Sequence, residues 1–92
     1  MGVQIEKVIY SKSSLKFLMR SDEKTRNMVR TGINDCLKTI PPSGDVKPIK
    51  GCTDGKKRLR LGKIRVIFMY IKIDGETAIS IYDIGYRGDI YK

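Results

Sequence analysis

Between Lys56 and Arg65 six cations alternate with an aliphatic set, and the alternation breaks once, at Gly62-Lys63, before resuming. Two strands joined by a two-residue turn explain that pattern, because a Gly-X pair suits a type II′ hairpin. In this register Leu61 faces Ile64, Arg60 faces Arg65, Leu59 faces Val66 and Arg58 faces Ile67. Cross-strand partners share a side of the sheet. One side therefore carries Leu59, Leu61, Ile64, Val66 and Phe68, and the other carries Arg58, Arg60 and Arg65. Like charges set opposite one another are destabilising, so the arginine trio reads as a phosphate site.

The same register continues through the chain that follows. Ile64–Ile73 is nearly continuously apolar, as a strand covered on both faces is. Asp74-Gly75 is a type I′ turn signal. With two-residue turns throughout, Ile73 faces Glu76, Ile71 faces Ala78, Met69 faces Ser80, Ile67 faces Tyr82 and Arg65 faces Ile84. Ser80 and Tyr82 then join the basic side, while Ile79 and Ile81 join Leu59, Val66 and Phe68.

Upstream, Gly2–Tyr10 reads as a first strand whose alternation slips at Lys7-Val8. Ser11–Ser14 offers N-caps for a short helix covering Leu15, Leu18 and Met19. Ser21-Asp22-Glu23 restarts a helix with acids in its first turn. Its apolar positions, Val29, Ile33, Cys36, Leu37 and Ile40, recur at helical spacing and read as core. Pro41-Pro42 stops it, and 43–53 is a connector. The order β-α-α-β-β-β, with a further short strand over Asp89–Tyr91, predicts one α+β domain spanning residues 1–92. Its two amino-terminal helices pack on one face of a mostly antiparallel twisted sheet and leave the other face for function.

Charge narrows the partners. The net charge is +9 and no histidine is present. Residues 41–65 hold eight Lys or Arg against two acids. A basic middle points to a polyanion; a solvated basic surface is the plainer reading. The longest apolar run is too short to span a membrane, and Met1–Tyr10 lacks the apolar core of a signal peptide. Cys36 and Cys52 lack metal-ligand spacing. Cys36 falls on the helical stripe as a small hydrophobe, and the chain reads as cytoplasmic with free thiols.

Without histidine, Ser-His and Cys-His nucleophile systems are excluded, and the sparse acids argue against a two-metal site. Arg, Lys and Tyr remain, a set that grips a phosphodiester and stabilises the charge developing on it. RNA suits such a site, since its own 2′-OH supplies the nucleophile. On these residues alone, simple docking of a nucleic-acid backbone ranks ahead of catalysis.

Three stretches shift that ranking: Gly44-Asp45-Val46-Lys47-Pro48-Ile49-Lys50-Gly51, Arg58–Ile67 (RLRLGKIRVI) and Ile84–Tyr91 (IGYRGDIY). Together they resemble the RelE/ParE superfamily of bacterial type II toxins, over essentially the whole chain. The resemblance implies a toxin held in check by a cognate acidic antitoxin. In the RelE-like branch it implies a metal-independent endoribonuclease with no cofactor, which enters the ribosomal A site among mRNA and rRNA. The cut there is 2′-OH attack giving a 2′,3′-cyclic phosphate, and translation stops. It assigns Arg65 to the scissile phosphate, Arg87 to the transition state or leaving group, and Tyr91 to the base that activates the 2′-OH. Lys56, Lys57, Arg58, Arg60 and Tyr86 become RNA- or phosphate-binding residues. Tyr86 stands where many relatives place histidine. Two other readings stay open: a non-catalytic ParE-like inhibitor of DNA gyrase, and a plain nucleic-acid-binding domain. Tyr82 and Tyr86 read first as core or edge packing and second as platforms for stacked bases.

Overall fold

In the computed structural model, which describes residues 3–40, 42–49 and 55–86, the amino-terminal alternation resolves into two strands. These are β1 (Val3–Gln4) and β2 (Lys7–Tyr10). Between them Ile5 is buried, and its N–H donates to the Lys38 carbonyl at 2.6 Å. Helix α1 (Lys12–Arg20) is capped by Ser11, whose hydroxyl accepts the Ser14 N–H at 3.1 Å. Its inward face is Ser14 and Leu18, whereas Leu15 and Met19 are exposed. Helix α2 (Glu23–Cys36) begins at Asp22, whose carboxylate accepts the Thr25 N–H at 2.8 Å. The bonds to Thr25 hold that carboxyl below its ordinary range.

Of the stripe expected along α2, Val29 and Ile33 are buried in the core, as is Leu37 just past the helix end, while Cys36 and Ile40 are partly buried against it. The helix stops at Cys36 rather than at Pro41, and Ile40 belongs to a strand. Strand β3 (Thr39–Ile40) then pairs with β1. The connector holds a strand that the sequence reading did not anticipate, β4 (Val46–Pro48). It is an edge strand, the place in a sheet where proline is tolerated. Strands β5 (Lys57–Leu61), β6 (Ile64–Ile73) and β7 (Glu76–Tyr86) complete a five-stranded sheet of order β2-β7-β6-β5-β4. All its pairings are antiparallel except β2 with β7.

Both hairpin turns take the forms expected. Gly62 has φ +62°, while Asp74 and Gly75 have φ +50° and +82°, the left-handed region that glycine and aspartate accept most readily. The β5–β6 register is the one read from the sequence, with Arg60 opposite Arg65 and Leu59 opposite Val66. The β6–β7 register holds from Ile73/Glu76 to Met69/Ser80 and then shifts by one, at a bulge between Ile67 and Phe68. Phe68 pairs with Ile81, but Ile67 pairs with Asp83, leaving Tyr82 as the extra residue. The expected pairings Ile67/Tyr82 and Arg65/Ile84 are therefore replaced by Ile67/Asp83 and Arg65/Gly85.

The cause is the core. Ile79, Ile81 and Ile84 are all buried in the cluster beneath the helices, with Leu59, Val66 and Phe68. Their spacing of two and then three cannot be met by straight alternation, and one extra residue restores the inward side. Backbone groups at the bulge find partners in the serines that begin α1. The Tyr82 carbonyl accepts the Ser11 hydroxyl at 2.7 Å and the Ser13 hydroxyl at 3.1 Å. Ser11 thus caps a helix and satisfies the bulge at once. Ser11→Ala should destabilise the chain by about 1–2 kcal/mol, at the upper end for an N-cap, measured by urea denaturation.

Tyr70 joins the sheet to the end of α2. Its hydroxyl donates to the Leu37 carbonyl at 2.8 Å, and its ring meets Phe68 edge-on at 5.7 Å between centroids. Burial pushes its pKa up to about 12 from the ordinary 10.0. The folded chain then holds this proton above pH 10 while the unfolded chain releases it, so the contribution is complete below pH 10 and is lost towards pH 12. Stability should fall over that interval, and Tyr70→Phe should flatten the fall. At neutral pH the same variant should cost about 0.5–1.5 kcal/mol, the net value of one hydrogen bond.

Among the described residues no helix is long and apolar enough to cross a membrane. Cys36 is a free, half-buried thiol; Cys52 and the expected strand at 89–91 lie outside the described residues.

Candidate nucleic-acid interface

With the helices on the Leu59/Val66/Phe68 side, the opposite side of β5 and β6 carries the basic residues. Arg60 is exposed directly opposite Arg65, and Arg58 pairs with Ile67 one step along. Directly opposed residues stand about 4.5–5.5 Å apart at Cα, so the three arginines spring from one small area of the sheet. Arg65 differs from the others in burial, with only 7% of its surface accessible. It lies between β5 and β7, where Gly85 is its partner on the second side. A guanidinium keeps its charge even when buried, and removal from bulk water strengthens its attraction for an anion.

Strand β4 adds a residue that the sequence reading missed. Lys47 pairs with Arg58 and is exposed on the same side. The signal was a Val-Lys-Pro run next to a basic strand, hidden because the stretch around it is rich in turn residues. On the remaining flank, the Lys56 ammonium sits 4.7 Å from the centre of the Tyr82 ring, within cation–π range. Ile67, Met69 and Ser80 continue this side away from the arginines.

Two predicted site residues lie elsewhere. Lys57 pairs with Phe68 and so alternates to the helix side of β5. Tyr86 pairs with Ile64, again on the helix side, and its ring packs against Phe17 at 5.5 Å between centroids. The bulge accounts for Tyr86, since a one-residue shift moves every later side chain to the other face. Arg87 and Tyr91 lie outside the described residues. Among the described residues, no group of three or more His, Cys, Asp or Glu side chains is placed to hold a metal ion.

This geometry suits electrostatic work: a buried, permanently charged guanidinium ringed by more exposed cations. No protein-family model matches the chain, and no curated protein sequence matches it significantly. Solved structures do. A YoeB/ParE toxin from Agrobacterium tumefaciens superposes with a TM-score of 0.70 at 18% identity, over 89% of this chain and 99% of that one. The fold is that of the RelE/ParE toxins. The crystal structure of a RelB-RelE antitoxin-toxin complex from Methanococcus jannaschii matches with a TM-score of 0.65 at 24% identity. It covers 90% of this chain and 94% of the matched one.

Proposed function

We infer that this chain is the toxin of a type II toxin-antitoxin pair and acts as an endoribonuclease on mRNA in the ribosomal A site. The observation that carries the reading is the co-facial set Arg58, Arg60 and Arg65, with Arg65 buried at its centre. The fold shared with a YoeB/ParE toxin and with the toxin of a RelB-RelE complex supports it.

In the cleavage step the RNA 2′-oxygen attacks the adjacent phosphorus and loses its proton. The P–O5′ bond breaks, the 5′-oxygen gains a proton, and a 2′,3′-cyclic phosphate remains. Charge builds on the non-bridging oxygens, and donors fixed in advance around that charge lower the barrier. Arg65 is assigned to those oxygens. Arg58, Arg60 and Lys47 hold the flanking backbone, with Arg87 at the leaving group and Tyr91 as base. The inhibiting partner is an acidic antitoxin whose segment covers the basic side.

Cleavage of ribosome-bound message, mapped by toeprinting, tests the reading. Arg65→Ala, Arg87→Ala and Tyr91→Phe should each lose cleavage and growth arrest. Full toxicity in all three overturns the catalytic assignment. Inhibited supercoiling by purified gyrase, with message left intact, would instead identify a ParE-like inhibitor.

A further inference from the structure

Strand β2 ends at Tyr10, opposite Ile81. Past that point the outer edge of β7 faces the start of α1, and a cleft of about 590 Å³ opens between them and the first turn of α2. That volume is in the range of small-molecule sites. Beside the hydroxyls of Ser13, Ser21 and Thr25 and the capping carboxylate of Asp22, its lining holds three groups that bear on a ligand. Tyr86 is an aromatic 46% exposed, with its ring braced by Phe17. Arg20 contributes a cation from the last turn of α1. Asp83 contributes a carboxylate whose Oδ1 accepts the Ile84 N–H at 3.0 Å and the Ser13 hydroxyl at 3.3 Å. Those bonds fix the carboxylate, and among the described residues they leave its other oxygen available.

We propose that this cleft is a nucleobase pocket that prefers guanine. The base stacks on Tyr86, its N1–H and N2–H₂ donate to the Asp83 carboxylate, and its phosphate reaches Arg20. An aromatic ring is the usual platform for an unpaired base, which is then read along its Watson–Crick edge. A carboxylate only accepts hydrogen bonds. Guanine offers two adjacent donors on that edge, whereas uracil sets carbonyl oxygens beside its single N–H. A peptide aromatic would use the Tyr86 platform but would leave the paired donor demand of Asp83 unmet.

The pocket and the basic side meet at one residue: Gly85 pairs with Arg65 and also lines the cleft. As a base-reading site for the strand that Arg65 holds, the pocket rests on the ribonuclease reading above. As a nucleotide site it stands alone.

The test titrates GMP, IMP and UMP into the intact chain, followed by NMR. Shifts should map to Phe17, Asp83 and Tyr86. GMP should bind roughly tenfold more tightly than UMP, and IMP, which lacks the 2-amino group, should fall between them. Tyr86→Phe should retain binding, and Tyr86→Ala should weaken it roughly tenfold, the scale of one stacked base. Asp83→Asn should erase the GMP preference while keeping stacking. Equal affinities for the three nucleotides, or shifts confined to the arginine side, overturn the pocket. GMP binding by a chain that cuts no message would leave the pocket standing and remove the ribonuclease reading. Cleavage without GMP binding would do the reverse.

Discussion

Arg65→Ala should lower cleavage of ribosome-bound mRNA by about 10²–10³-fold, the usual cost of deleting one preorganised charge-stabilising donor. The size of the effect follows from position. Arg65 is 7% accessible and sits in a strand paired on both sides, so no neighbouring chain can swing in to replace it. Arg60, directly opposite and exposed, should behave differently. Arg60→Ala should weaken RNA binding modestly and reduce its salt dependence by less than one unit of log–log slope, roughly 0.7 per single-strand phosphate contact. Arg65→Lys separates charge from shape. Lysine keeps the cation but loses the planar fork that holds two phosphate oxygens, so activity should recover only in part. Circular dichroism of each variant keeps loss of activity distinct from loss of fold.

Phe68→Ala should have the largest effect on stability, about 3–5 kcal/mol from a total of about 5–15 kcal/mol for a domain of this kind. Phe68 is fully buried in the middle of β6, between Lys57 of β5 and Ile81 of β7, with Tyr70 edge-on beside it. The surrounding strands are held by ladder hydrogen bonds and cannot collapse into the space left behind. Met19→Ala is the matching control. That side chain is 81% exposed, and its loss should shift stability by no more than about 0.5 kcal/mol. Urea midpoints of the two variants decide the matter.

Much of the sheet was legible because period-two alternation and two-residue turns leave little freedom. From Lys57 to Ser80 each expected cross-strand pair is found. Straight alternation fails at Tyr82, where the core requires a change of phase. The notice was present in the spacing of Ile79, Ile81 and Ile84. That single slip moved Tyr86 from the basic side to the cleft beside Phe17. Strand β4 was missed for a different reason. Three residues, one of them a proline, carry no periodic signal, and only the waiting edge of β5 makes them a strand. The arginine trio was legible because opposed like charges are conspicuous in any register. The role of Ser11 and Ser13 was not, since hydroxyls that serve a distant carbonyl look like ordinary caps in the sequence.

Ser11 and the Tyr82 carbonyl it satisfies are 71 residues apart in the sequence, and β2 finds its parallel partner only in β7. The β5–β6 hairpin is local and closes early, whereas docking the helices waits on contacts spanning most of the chain, a topology that slows folding. During synthesis, then, the arginines can be paired across their hairpin while Arg65 still lacks β7 and the packed core that bury it. A nascent chain has its cations exposed to water and no enclosed guanidinium until β7 has left the exit tunnel.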